Sequence, residues 1–229
     1  MNPSHAPARR ARRRRAGLGL ALAAALAVGA TACGSADNGD SDSVADVSTT
    51  QDTKQGIVLD RPFEKPDLVL TDTKGKEYDL IEETQGKPTV IYFGYTHCPD
   101  VCSPTMSNID IAKRALPKAD QDNLKVIFVT TDPERDTPES LDKWLAAVAP
   151  GTVGLTGDFD TIQAASRSLG MAIDAPVKKK NGEILSQHGT QVFAFSPKDD
   201  KAHVIYPNDA ATVENFEKDF PKLMKGQHP

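Results

Sequence analysis

Two cysteines four residues apart, Cys98 and Cys102 in YFGYTHCPDVC (92–102), are the side chains best suited to do chemistry in this chain. They follow a run typical of a buried strand and precede a helical pattern. Cys98 is therefore expected at or near a helix N-terminus, where unpaired N–H groups and the positive end of the dipole favour thiolate over thiol. With a helix starting near Pro99, residues four apart share a face and the two sulfurs converge. Such a pair is a soft site suited to Cu(I) or to dithiol–disulfide exchange. A purely structural bridge is the bland alternative, but closing so short a loop constrains the unfolded chain little.

The elements that must position these thiols are legible in the hydrophobic pattern. The run 68–70 and the run 77–80, with Gly75 between them, predict a hairpin. The runs 89–93 and 125–130 are rich in β-branched and aromatic residues and read as buried strands. Between them Ile109, Ala112 and Leu116 fit one helical face. Thr137-Pro138-Glu139 opens a second helix with an N-cap, a proline at the first position and an acid in the first turn. Its apolar side is Leu141, Trp144, Leu145 and Val148, which makes Trp144 a core residue. A third helix follows Asp158 with Phe159, Ile162, Ser166 and Leu169 on one side. The runs 191–195 and 203–206 predict a closing hairpin, and Val213, Phe216, Phe220 and Leu223 a terminal helix. Strand, helix, strand, helix, two strands and a helix is the order of a thioredoxin-like α/β fold: a central mixed sheet, helices on both faces and an N-terminal hairpin.

Composition bounds the rest. The chain has 229 residues, 38% hydrophobic, with a net charge of −5 and three cysteines, too few for a disulfide scaffold. Of the 27 basic residues, six arginines precede Cys33 while no acid does, which leaves 21 basic against 32 acidic residues beyond it, or −11. So acidic a product is a poor binder of phosphate backbones, and no nucleic-acid partner is expected. The arginine cluster, the apolar stretch 16–32 and the small residues before Cys33 read as a signal peptide, 1–32. The stretch is short of the ~20 strongly apolar residues a span needs. Ala30-Thr31-Ala32-Cys33 looks like a bacterial lipoprotein cleavage site, with Ala30 where Leu is usual, and makes Cys33 the expected lipid anchor. An ordinary signal peptide cleaved near Ala32 is the alternative, and export by either the general or the twin-arginine route fits. Residues 33–56, polar beyond the cysteine, form the expected tether. A domain over 57–226 and a tail of 227–229 complete the organisation.

YFGYTHCPDVC (92–102), FVTTDPERDTP (128–138) and GLTG (154–157) resemble, in order, the sequence blocks of the Sco/SenC family of copper-binding, thioredoxin-fold proteins; the resemblance covers about 67–224. It implies copper ligation, as Cu(I) or Cu(II), by Cys98, Cys102 and His188, the last standing in LSQHGTQVF (185–193). The implied role is assembly of the binuclear copper centre of cytochrome c oxidase, as a membrane-anchored extracytoplasmic metallochaperone. The alternative is a thiol–disulfide reductase for the oxidase copper-site cysteines, in which Cys98 and Cys102 are catalytic. The implied partners are the copper-site subunit of the oxidase and another extracytoplasmic copper chaperone as donor. Two departures stand out: Ser103 where the family often has Pro, and Gln187 where Asp is frequent. A peroxiredoxin-like peroxidase is disfavoured, because Tyr95 and Ile91 stand where that chemistry wants Thr and Pro. A closed zinc site lacks a fourth ligand.

The remaining polar residues take ordinary readings. His97 neighbours Cys98, but consecutive extended residues point opposite ways, so it is expected to be exposed or to support a ligand. Asp132, Glu134, Arg135 and Asp136 read as a salt-bridged turn, for which the resemblance also permits a role beside the metal or at a docking surface, and 178–182 as a solvated hairpin tip. His203 lies in a strand and His228 in a frayed tail, both inert. The four methionines are dispersed, which excludes a methionine-rich copper tract.

Overall fold

The structure, a computed structural model, describes residues 54–229 other than Asn181, Glu183 and Gln187, and only the backbone of Leu185. The leader, the anchor candidate Cys33, the tether up to residue 53 and the departure at Gln187 lie outside the described residues.

After β1 (Ile57–Glu64) comes the expected hairpin of β2 (Val69–Asp72) and β3 (Glu77–Asp79). Its turn uses Gly75 at φ 75°, a left-handed conformation that only glycine adopts without steric cost. The short α1 (Leu80–Thr84) is capped by Asp79, whose carboxylate accepts the Glu82 N–H. Then β4 (Thr89–Gly94) runs through the cysteine turn into α2 (Cys102–Ala115), and α3 (Lys118–Asn123) returns the chain to β5 (Lys125–Thr130). Thr137 caps α4 (Pro138–Val148) by accepting the Ser140 N–H, and β6 (Val153–Thr156) follows. Asp158 caps α5 (Phe159–Ser168) in the same way. The two-residue strands β7 (Val177–Lys178) and β8 (Ile184–Leu185) pair only with each other. The closing hairpin is β9 (Val192–Phe195) and β10 (Lys201–Tyr206), and α6 (Val213–Leu223) ends the fold.

Eight strands form one sheet in the order β1-β10-β9-β4-β5-β6-β2-β3. The β4–β5–β6 pairings are parallel and the rest antiparallel, so the expected mixed sheet is present. Every residue of β4 is buried, because helices cover both faces there. Side-chain alternation divides the core. Val90 and Tyr92 pack with Met106, Ile109, Leu141, Leu145, Phe216 and Phe220 from α2, α4 and α6. Ile91 and Phe93 pack on the other face with Ile162, Ala165 and Leu169. Each such large apolar side chain contributes about 1.5–3 kcal/mol on burial. Trp144 lies against Phe128 at 5.0 Å between ring centres, in the core as its spacing implies.

Two local features differ from the sequence expectation. The helix after β4 starts at Cys102 and not near Pro99; a turn closes over 95–98 and 99–101 form a bend before the helix. The edge strand β1 carries no clean alternation, contains Pro62 and shifts register between Val58 and Phe63; its pairing comes from β10. Among the described residues no helix is long and apolar enough to cross a membrane.

Candidate metal centre

The site is built at the C-terminal end of β4. Beyond Gly94 the chain tightens into a turn in which the Cys98 N–H donates to the Tyr95 carbonyl at 3.1 Å, and α2 then begins at Cys102. Val101, at the N-cap position, supplies no side-chain acceptor. The Cys98 sulfur lies just outside the helix start, beside the Cys102 thiol and the backbone N–H groups of Asp100, Cys102 and Val101, which favour its thiolate. Together these donors outweigh the cost of partial burial and pull the Cys98 thiol down to about 4. Cys102 is fully buried, and its thiol is pushed well up, first by donating to Cys98 and then by burial. The two environments thus differ: the turn favours the thiolate at Cys98, and the core favours the thiol at Cys102. Convergence of the sulfurs therefore comes from the turn wrapping the helix end, not from one helical face.

Gly94 makes room for this. A Cβ there would stand 2.9 Å from Cys102 Sγ and 2.8 Å from Tyr92 Cε1. The Tyr92 hydroxyl donates to Cys102 Sγ at 3.5 Å from inside the core.

His188 arrives through sheet register. In the antiparallel β4–β9 pair Thr89 faces Phe195 and Tyr92 faces Val192. Continuing that register brings the residues just before β9 beside the cysteine turn. His188 Nε2 lies 3.4 Å from Cys98 Sγ and 3.8 Å from Cys102 Sγ. Its Nδ1–H donates to the Gly189 carbonyl at 2.7 Å, which fixes the ring with Nε2 turned toward the sulfurs. Tyr95 and Tyr92 meet the ring edge-on, with centroids 5.2 and 6.4 Å away. The two sulfurs and the imidazole nitrogen lie within 4.8 Å of one another, the one such cluster among the described residues. Displacement of one thiol proton would present two thiolates and a neutral imidazole, a set matched to copper. Without metal, the same pair has the asymmetry of a nucleophilic thiolate and a resolving thiol.

Other sequence candidates fall outside this cluster. His97 has a half-exposed ring with Nδ1 3.0 Å from Thr96 Oγ1 and 3.7 Å from Asp136. Asp136 is fully buried and accepts from the Thr96 N–H, the Thr96 hydroxyl and the Thr130 hydroxyl, which fastens the cysteine turn to the end of β5. Asp132 is equally buried and pairs with Arg135. The charged turn is salt-bridged as expected but partly interior, and its burial was not foreseen. The available signal was an acid directly continuing a fully buried strand. The stretch 178–180 is exposed beside the β7–β8 hairpin, as expected. His228 corrects the reading of a frayed tail: its ring stacks on His203 at 4.3 Å, and His203 pairs with Asp199.

A thioredoxin-like sheet with a dithiol at the start of its first crossover helix and an imidazole folded over it defines a class of thiol- and metal-handling proteins. The SCO1/SenC family model matches residues 58–224, and the chain belongs to that family. It is similar to the copper-bound structure of ScoI from Bradyrhizobium japonicum, with 32% identity, a TM-score of 0.59, and coverage of 71% of this chain and 98% of that one. It is also similar to apo Sco1 from Thermus thermophilus, with 30% identity, a TM-score of 0.64, and coverage of 73% and 95%. Mitochondrial SCO2 of Saccharomyces cerevisiae is 30% identical over 142 residues, 62% of this chain but 45% of the yeast protein, so the chain spans less than half of that relative.

Proposed function

We propose that this protein is a copper metallochaperone that holds the ion through Cys98, Cys102 and His188 and delivers it to the copper-site subunit of cytochrome c oxidase. The observation that carries the reading is the aim of His188: Nε2 stands 3.4 and 3.8 Å from the two sulfurs while Nδ1 is tied to Gly189. The copper bound by the Bradyrhizobium ScoI relative supports it. In this reading the acceptor's thiolates displace His188, Cys98 and Cys102 in turn, and each exchange leaves the oxidation state of copper unchanged. Cys98, half-buried at the turn, is open to an incoming ligand, whereas Cys102 is sealed in the core. The place of action is the extracytoplasmic face of the membrane, with Cys33 lipidated and residues 34–56 as a tether. Another extracytoplasmic chaperone loads the site.

A second reading rests on the asymmetry of the thiols. Cys98 as thiolate attacks a disulfide of the oxidase copper site and one target thiolate leaves. Cys102 then resolves the mixed disulfide, so that two electrons pass to the target and a Cys98–Cys102 disulfide remains. Cu(I)-loaded and reduced copper-free protein, added separately to an apo oxidase copper-domain fragment, discriminate between them. Delivery requires an ion held by all three residues until docking, so His188→Ala, which surrenders its copper too readily, delivers none to the fragment, as Cys98→Ser and Cys102→Ser do. If reduction alone restores metallation from free copper and His188→Ala is silent, the chaperone reading fails.

A further inference from the structure

The segment that carries His188 is fastened to the sheet by a carboxylate outside the metal cluster. Asp132, next to the end of β5, is 1% exposed, and its Oδ2 accepts the Ser186 hydroxyl at 2.8 Å. The same carboxylate pairs with Arg135, which also donates to Ser186 Oγ at 3.3 Å. The Arg135 guanidinium lies over the Tyr95 ring at 5.9 Å, and Tyr95 meets the His188 ring at 5.2 Å. Two routes thus run from Asp132 to His188: through Ser186, two residues away along the chain, and through Arg135 and Tyr95. Burying a carboxylate is expensive unless it is paired, and here both of its partners lead to the histidine. Its Oδ1 is buried with no hydrogen-bond partner among the described residues. The preceding hairpin is too small to hold this segment alone, since β7 and β8 have two residues each and join no other strand.

We propose that Asp132, Arg135 and Ser186 form a latch that determines whether His188 stands over the sulfurs or swings away. They are positioning residues, and the proposal rests on the copper reading of the site. Latched, the site offers two sulfurs and a nitrogen. Unlatched, it offers the two sulfurs alone, and Cu(I) passes to an acceptor by ligand exchange without redox change. The latch therefore sets the rate at which the first ligand is surrendered.

The test uses the full chain. Ser186→Ala removes the hydroxyl but keeps the Asp132–Arg135 pair, so no buried charge is orphaned. In the reduced, copper-free protein, the ¹⁵N–¹H spectrum of the His188 ring is expected to show the Nδ1–H tautomer in the native chain and tautomer averaging in Ser186→Ala. Transfer of Cu(I) to bicinchoninate is expected to accelerate roughly tenfold, the scale of a lost hydrogen bond to a charged acceptor. Ser186→Thr, which restores the hydroxyl, returns both readouts toward native, and Asp132→Asn falls between. In a His188→Ala background, Ser186→Ala adds no further acceleration. An unchanged ring spectrum and transfer rate in both Ser186→Ala and Asp132→Asn would overturn the latch, as would acceleration that persists without His188. If His188→Ala itself leaves copper retention unchanged, the ligand reading of His188 fails instead, a result distinct from failure of the latch.

Discussion

Gly94→Ala places one methyl group where the site has no space for it. The new Cβ would lie 2.9 Å from Cys102 Sγ, 2.8 Å from Tyr92 Cε1 and 3.1 Å from Phe128 Cε2. Favourable heavy-atom contacts fall at about 3.5–4.0 Å, so the overlap at sulfur is roughly 0.6–1.1 Å. None of the three neighbours can yield cheaply, because Tyr92, Cys102 and Phe128 are all fully buried. The backbone at Gly94 is not left-handed, so the cost is one of space and not of φ. Overpacking of this kind costs about 1–3 kcal/mol. For a domain of this size that is a melting-temperature loss of about 2–12 °C, at about 2–4 °C per kcal/mol. The strain relaxes most easily through the Cys102 side chain, which displaces its sulfur from the position facing His188. The expected result is a thermal melt lowered within that range together with weaker retention of Cu(I) against a competing chelator. Gly75→Ala is the control, since a Cβ at that residue meets no atom and only its left-handed φ is penalised; it should destabilise without touching copper retention. A Gly94→Ala protein with native melting temperature and native copper retention would refute the packing argument.

Two further predictions follow from charge. With the Cys98 thiol held at about 4 instead of the usual 9.0, that residue is already a thiolate across the neutral range. Its alkylation by iodoacetamide in the reduced, copper-free protein should be nearly independent of pH between about 6 and 8 and fall only toward pH 4, because protonation begins there. Peptide mapping should find Cys102 unmodified, and a rate that climbs tenfold per pH unit through neutrality would exclude the thiolate. At the other end of β4, Lys65 is buried with Nζ 2.7 Å from Asp200 and 3.1 Å from the Thr84 carbonyl. Asp200→Asn keeps an amide-sized side chain tolerant of the left-handed φ of 58° but leaves the ammonium uncompensated, at a cost of about 3 kcal/mol in urea denaturation. Recovery of part of that loss by Lys65→Met in the same background would complete the cycle, and an unchanged midpoint for Asp200→Asn would remove the pair from the stability account.

What the sequence made legible was local. The β-branched runs of β4 and β5, the Thr137-Pro138 start of α4, the Asp158 cap of α5 and the spacing of Val213, Phe216, Phe220 and Leu223 carry their signals within a few residues. The cysteine pair was legible for the same reason. Its geometry was less so. A cap normally comes from Ser, Thr, Asp or Asn. Here Val101 stands in the N-cap position with no side-chain cap, so the true start at Cys102 had no residue code to announce it. The edge strand β1 was illegible because its pattern is broken by Pro62 and polar residues, and it exists only because β10 lies beside it.

The sequence by itself determined the class of chemistry: two sulfurs four residues apart between a buried strand and a helix, in a chain that is acidic beyond its arginine-rich first residues. Spacing and composition do not say which of five histidines meets them; the family resemblance implied His188, and tertiary structure brings it there. His188 is 86 residues from Cys102 in the chain, and the β4–β9 register closes that gap to 3.8 Å. It also decided that Asp132 and Asp136, which read as part of a salt-bridged turn, are interior fasteners of the two loops that meet at the site. The reason is range. Periodicity and capping are written in neighbouring residues, whereas the burial of a carboxylate and the aim of an imidazole depend on strands that become neighbours only when the sheet is complete.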